Sequence, residues 1–182
     1  GGDGVNVILK AFAGAPTSWI AYALATVYHE TAGTMLPIKE RGSFSYFIRM
    51  YDVTGSNPER AVKWGNTAPG DGPKYCGRGY VQLTWKKNYQ TATKKLGYDF
   101  VRDPDGALAP DAAAAIMESG MVDGWYTGYA LSEVFAGDLG TRREFEQARK
   151  IINGVDDAVQ IAGYAIRFQE ALRAAQYSPL VA

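Results

Sequence analysis

The sequence is short of the side chains on which much enzyme chemistry relies. It has one Cys and one His in 182 residues, and 19 Lys and Arg are balanced by 19 Asp and Glu. A lone Cys excludes an intramolecular disulfide framework. One Cys and one His cannot assemble a Cys/His zinc site, which takes three or four such ligands; no metal and no cofactor are expected. Zero net charge argues against nucleic acid as a partner, because that binding is driven by an excess of Lys and Arg. Apolar runs are short as well. Trp19–Ala25 is among the longest and stops at Thr26, well below the ~18 residues of a membrane span. The opening Gly1-Gly2-Asp3-Gly4 has no basic stretch, apolar stretch or initiator Met, so no signal peptide is expected. Residues 1–15 read as a tag scar or a flexible lead-in. What remains is one soluble domain, 1–182, whose chemistry rests on carboxylates, hydroxyls and amides.

Apolar spacing is mostly helical. Ile20, Ala23, Leu24 and Val27 recur at three- and four-residue steps after Pro16, with Thr17 or Ser18 as N-cap and Gly33 as the stop. The stripe through Ala23 and Val27 reaches Glu30 in the last turn. Ser43–Tyr51 predicts a short aromatic helix, and Asn57-Pro58-Glu59 an N-cap with Pro at the first helical position. Gly65–Gly79 reads as an ordered loop and Tyr80–Trp85 as a short strand or extended segment. Helices follow over 86–96, stopped by Gly97, and over 110–124. Thr141-Arg142-Arg143-Glu144 is a capping box, Asn153-Gly154 a stop, and a last helix carries Ile161, Tyr164, Phe168 and Leu172 on one face. The fold class predicted is mainly α, with a small extended region near 75–85.

Two segments could carry chemistry. Glu30, at a helix end, and Glu40, after a Pro-containing turn, are ten residues apart. Glycosidic cleavage needs one protonated acid on the leaving oxygen and one ionised base on a water. A Glu30 seated among apolar side chains would stay protonated, whereas Glu40, between Lys39 and Arg41, would stay ionised. The alternative is a pair of solvated surface charges. The second segment, Tyr75–Trp85 with Asn88-Tyr89, interleaves aromatics with the neutral groups of Gln82, Thr84 and Asn88. Such groups pair with hydroxyls and N-acetyl groups while rings cover apolar sugar faces; Tyr75 opens the segment and counts among its candidate sugar contacts.

His29-Glu30-Thr31-Ala32-Gly33, Lys39-Glu40-Arg41-Gly42, Tyr75–Trp85 with Asn88-Tyr89, and Lys150-Ile151-Ile152-Asn153-Gly154 occur in the order seen in glycoside hydrolase family 19. The chain resembles that family's bacteriophage endolysin and lysozyme-like branch over roughly residues 16–175. The resemblance implies a lysozyme-like helical fold and inverting hydrolysis of β-1,4 links between N-acetylated sugars. Glu30 then matches the general acid, Glu40 the general base, and Thr84 a hydroxyl that orients the attacking water. Gln82, Asn88 and Asn153 match substrate-contacting amides, and His29 lies beside the acid. Ala32, Cys76 and Lys87 depart from the pattern of the plant members. An Arg in their last helix has no match, Ile161 being nearest in register.

The implied substrate is peptidoglycan, cut between N-acetylmuramic acid and N-acetylglucosamine, with chitin as the alternative polymer. The implied protein is a monomeric, bacteriolytic catalytic domain without a wall-binding module. It would stay in the host cytoplasm until a holin opens the membrane. Two rival readings are a Cys76-dependent wall amidase and a non-catalytic sugar-binding module. Cys76→Ser separates the first: hydrolysis is expected to survive the substitution, and loss of lysis would establish a thiol mechanism.

Overall fold

A computed structural model describes residues 2–177. Ten helices are described: α1 (Gly2–Ala11), α2 (Thr17–Glu30), α3 (Phe44–Tyr51), α4 (Pro58–Lys63), α5 (Asp71–Lys74), α6 (Lys86–Leu96), α7 (Pro110–Asp123), α8 (Leu131–Val134), α9 (Arg142–Gln147) and α10 (Ala158–Tyr177). Short 3-10 turns occupy Pro104–Leu108 and Ala148–Ile151. The only described sheet pairs β1 (Ile38–Lys39) antiparallel with β2 (Arg78–Gly79), Ile38 opposite Gly79 and Lys39 opposite Arg78. The chain divides into two compact units, residues 1–36 with 117–182, and residues 37–116; the second boundary falls inside α7. No helix among the described residues is long and apolar enough to cross a membrane.

In the first unit α2 packs along α10. Tyr28 meets the rings of Tyr164 and Phe168 edge-on at 4.8 and 6.1 Å, two members of the predicted α10 face. Ala21 to Val27 are buried without interruption, so α2 is a core helix rather than an amphipathic surface one. Thr17 and Ser18 do not cap it with their own side chains. The cap comes from far along the chain: Asp138 accepts from Thr17 N–H and Oγ1, and its carbonyl from Ser18 N–H at 2.7 Å. A carboxylate at a helix N-terminus also meets the positive end of the helix dipole. The lead-in expected over 1–15 is largely helical, with Ile8 and Phe12 buried. The Thr141–Glu144 capping box is formed in both directions.

In the second unit, Ser43 and Asn57 cap α3 and α4 with their side-chain oxygens, and Gly97 closes α6 in a left-handed conformation. The expected strand at Tyr80–Trp85 is replaced by a tight loop. Arg78 and Leu83 exchange both backbone hydrogen bonds, at 3.1 and 2.8 Å, leaving Tyr80–Gln82 to turn between them. Gly79 (φ 107°) and Gln82 (φ 59°) supply the positive φ values that such a reversal needs. The apolar residues of the segment still face inward: Tyr80, Val81 and Leu83 are buried.

Asp52 organises the loop from α3 to α5. Its carboxylate accepts from Gly70 and Gly72 N–H at 3.0 and 2.8 Å and from Thr54 N–H and Oγ1. Burial alone would raise its pKa, but these donors outweigh burial and hold it below the usual carboxylate value. Its stabilisation is therefore complete above the unfolded pKa of about 3.9 and fades as pH falls through the lower folded value. Asp52→Asn puts an NH2 against donors on one side, at a cost of about 1–3 kcal/mol near neutral pH. Denaturant titrations from pH 7 to 3 should show the variant less stable at pH 7 and less sensitive to acid.

Candidate active site

Glu30 is the last residue of α2, and the chain turns away at Thr31–Gly33. The apolar seat expected for it is absent. Its side chain is 31% exposed, and Oε1 accepts from Arg149 Nη1 at 3.1 Å. Arg149 is 5% exposed. Its Nε donates to the Asp156 carbonyl at 2.8 Å, so two contacts aim the guanidinium at Glu30. Beside it, His29 Nε2 lies 3.1 Å from Asp157 Oδ2. Asn153 is exposed in the same unit, its N–H donating to the Arg149 carbonyl.

Below Glu30, Tyr22 and Thr26 lie eight and four residues back along α2, on one helical face. Both are fully buried. Burial pushes the Tyr22 hydroxyl up to about 12, Glu30's charge adding to it and Thr26 and Arg149 opposing. The sequence reading placed Glu30 on the stripe through Ala23 and Val27; Tyr22 and Thr26 form a second line leading to it, polar at every fourth position.

Glu40 lies in the second unit and is held differently. Backbone pairing fixes it, its N–H donating to the Gly77 carbonyl at 2.8 Å. Its carboxylate accepts from Tyr51 O–H on Oε1 at 2.6 Å and from Gly77 N–H on Oε2 at 3.0 Å. Neutral donors, not its neighbours Lys39 and Arg41, meet its charge; no ion pair to Glu40 is described. Burial, and then the bond to Glu40, push the Tyr51 phenol well above its ordinary value, so it stays a donor. Gly77 cannot be larger: a Cβ there would sit 2.5 Å from Gln82 Oε1 and 3.2 Å from Glu40 Oε2.

Gln82 donates through Nε2 to the Ile38 and Gly79 carbonyls at 2.9 and 3.1 Å, which ties the loop to β1 and β2. Thr84 is half-buried, its hydroxyl making only a long 3.4 Å contact to the Gln82 carbonyl. Asn88 Nδ2 donates to the Thr84 carbonyl at 2.8 Å. Glu40, Gln82, Thr84 and Asn88 are thus linked through one loop. Tyr75 is not presented to a ligand. It is 1% exposed, donates to the Val101 carbonyl and packs on Tyr89, so it supports the loop from beneath. Ile161 is likewise core.

Cys76 is buried, and burial pushes its thiol up, with Arg78 and Lys39 opposing. That is the reverse of what a nucleophilic thiol requires. No group of three or more His, Cys, Asp or Glu among the described residues is arranged to hold a metal.

Sequence reasoning missed Arg149 and Tyr51. Each could have been sought by asking what neutralises a carboxylate on a helical stripe, or what donates to one beside an aromatic helix.

The mainly helical, lysozyme-like architecture is shared with solved bacterial chitinases. Chitinase C from Streptomyces griseus superposes with a TM-score of 0.60 at 23% identity, covering 92% of this chain and 68% of that one. A second bacterial family 19 chitinase gives 0.53 at 23% identity, over 92% and 84%. The family model described as chitinase class I matches residues 13–128, a span holding Glu30, Glu40 and Tyr75–Asn88 but not Arg149 or Asn153. The chain belongs to glycoside hydrolase family 19. An endochitinase of Persea americana is 33% identical over 92 residues, half of this chain and 28% of that protein. Chitinase 4 of Oryza sativa is 38% identical over 87 residues, 47% of this chain and 26% of its own. The matched part spans about a quarter of these relatives.

Tyr51→Phe removes one of two donors to the Glu40 carboxylate. Denaturant titration at pH 7 should show the variant less stable by about 1–3 kcal/mol.

Proposed function

We propose that this chain is a peptidoglycan-cleaving glycosidase, an endolysin that hydrolyses the β-1,4 bond between N-acetylmuramic acid and N-acetylglucosamine with inversion. The observation that carries the reading is the unlike support of two glutamates. Glu30 has a fixed guanidinium on one oxygen, and Glu40 has two neutral donors.

Glu30 is assigned as general acid. Once it has given its proton to the leaving oxygen it is an anion, and Arg149 is already in place to stabilise that charge without reorganisation. The Arg149 bond engages Oε1, so the proton is assigned to Oε2. Glu40 is assigned as general base. Tyr51 and Gly77 donate to its two oxygens and fix its plane, and Thr84 hydroxyl, weakly engaged by the protein, orients the water. Gln82, Asn88, Asn153 and His29 are assigned to the sugar. Inversion requires the two carboxyls about 6.5–9.5 Å apart, with water between base and anomeric carbon.

In its setting the protein is proposed to act as a monomer. It would accumulate in the host cytoplasm and reach the wall through a holin-opened membrane. Chitin is the second reading, favoured by the names of the relatives.

Glu30→Gln and Glu40→Gln should each lower turnover by roughly 10²–10⁴-fold, the usual worth of a general acid or base. Mass spectrometry of digested sacculi should show new reducing ends on muramic acid, and NMR of the first product the α-anomer. Release from chitin oligomers alone would replace peptidoglycan by chitin, and a β-anomer would overturn inversion.

A further inference from the structure

The balanced total charge hides an uneven distribution. Residues 37–116 hold twelve Lys and Arg against eight Asp and Glu, a net of +4; the rest of the chain holds seven against eleven, a net of −4. The excess is concentrated further. From Arg60 to Lys95 there are eight Lys and Arg and a single acid, Asp71. Asp71 is 7% exposed and accepts from the Ala68 N–H. Asp52, just past the end of α3, is 1% exposed and committed to four donors. The acids of this region are turned inward, apart from exposed Glu59 at the start of α4.

Arg78 is turned inward, 5% exposed and paired with Asp105, but five of the other cations lie over aromatic rings. Lys63 and Lys87 ammoniums lie 5.7 and 5.9 Å from the centre of the Trp64 ring, and Arg60 lies 5.4 Å from that of Trp85. Lys74 and Lys86 lie 5.4 and 5.9 Å from Tyr75. The ends of α4 and α6 that carry them are joined by Lys87 N–H to the Trp64 carbonyl and Lys86 N–H to Asn66 Oδ1. None of the five pairs with a carboxylate among the described residues. Crowded cations repel one another, and the rings only partly offset that cost. A fixed cationic face with its counter-charges removed is suited to a polyanion.

The face is continuous with the surroundings of Glu40. Arg60 covers Trp85, Trp85 packs edge-on against Tyr51 at 5.0 Å, and Tyr51 holds Glu40. We infer that the face formed by Arg60, Lys63, Lys74, Lys86 and Lys87 binds the carboxylates that branch from a glycan strand, those of the stem peptides of peptidoglycan. This rests on the glycosidase reading and selects within it, since an uncharged N-acetylglucosamine polymer offers these cations nothing. The aromatic rings hold the long side chains extended, so less entropy is lost on binding than for free lysines. Each contact is exposed and screened by salt, so the face works by the sum of its charges.

The test uses Lys63→Gln/Lys87→Gln, two exposed positions outside the assigned catalytic groups, with circular dichroism confirming the fold. Binding is read by co-sedimentation with purified sacculi at several salt concentrations, in the Glu30→Gln background so that the polymer stays intact. The charge-bearing parent should pellet with a strong salt dependence, and the double variant should bind about tenfold more weakly with a shallower one. Sacculi amidated on their carboxylates should bind the parent as poorly as untreated sacculi bind the variant. On chitin-type strands, which carry no carboxylate, the double variant, with Glu30 restored, should turn over like the wild type. Equal binding to amidated and untreated sacculi overturns the inference, as does binding lost only on removing wall phosphate, which would name phosphate as the ligand. If carboxylate-dependent binding is found but no glycan is cut, the glycosidase reading fails and the binding face stands. If glycan is cut and amidation changes nothing, the reverse holds.

Discussion

A guanidinium that is almost wholly out of water has to be met by the groups around it, and in the first unit that requirement falls on Glu30. Arg149 is directed by the Asp156 carbonyl, just before α10, onto the carboxylate that ends α2. The end of one core helix and the approach to another are thereby set by one charge. Stranding a buried charge costs ~3–5 kcal/mol, less here because water reaches Glu30. The carboxylate proposed as general acid is thus also demanded by the core. The Tyr22–Thr26–Glu30 stripe is the trace of this in α2: a helix otherwise fit for an apolar core gives one line of positions to polar groups.

The second unit solves the same problem without a cation. Glu40 is held by a phenol and a backbone N–H, one on each carboxylate oxygen. One carboxylate is met by a fixed positive charge and the other by neutral donors. Two residues of one type are differentiated by what surrounds them.

Much of the fold was legible because it is locally encoded. Asn57-Pro58, Thr141–Glu144 and the Gly97 stop are signals whose donor and acceptor lie within four residues, and each appears where the pattern puts it. Tyr80–Trp85 was misread for a physical reason. Alternating β-rich residues report which side chains face inward, and they do; only the backbone could show that Gln82 takes a left-handed φ and closes a loop. The cap of α2 was illegible because Asp138 is 121 residues from Thr17. For the candidate site, spacing and resemblance point to the glutamates but not to their partners. Arg149 is 119 residues from Glu30, and Tyr75 looks like a sugar platform until its burial is seen.

The loop carrying Gln82, Thr84 and Asn88 has one more property. Gln82 at φ 59° and Trp85 at φ 78°, ψ 136° hold backbone conformations that cost non-glycine residues roughly 1–3 kcal/mol each. Glycine would relieve both, yet Gln82 is the tie to β1 and Trp85 the bridge between Arg60 and Tyr51. The loop therefore behaves as a set spring. Substitutions that relax it should make the protein more heat-resistant while loosening the residues beside Glu40, so thermal selection alone would drift away from function along this segment.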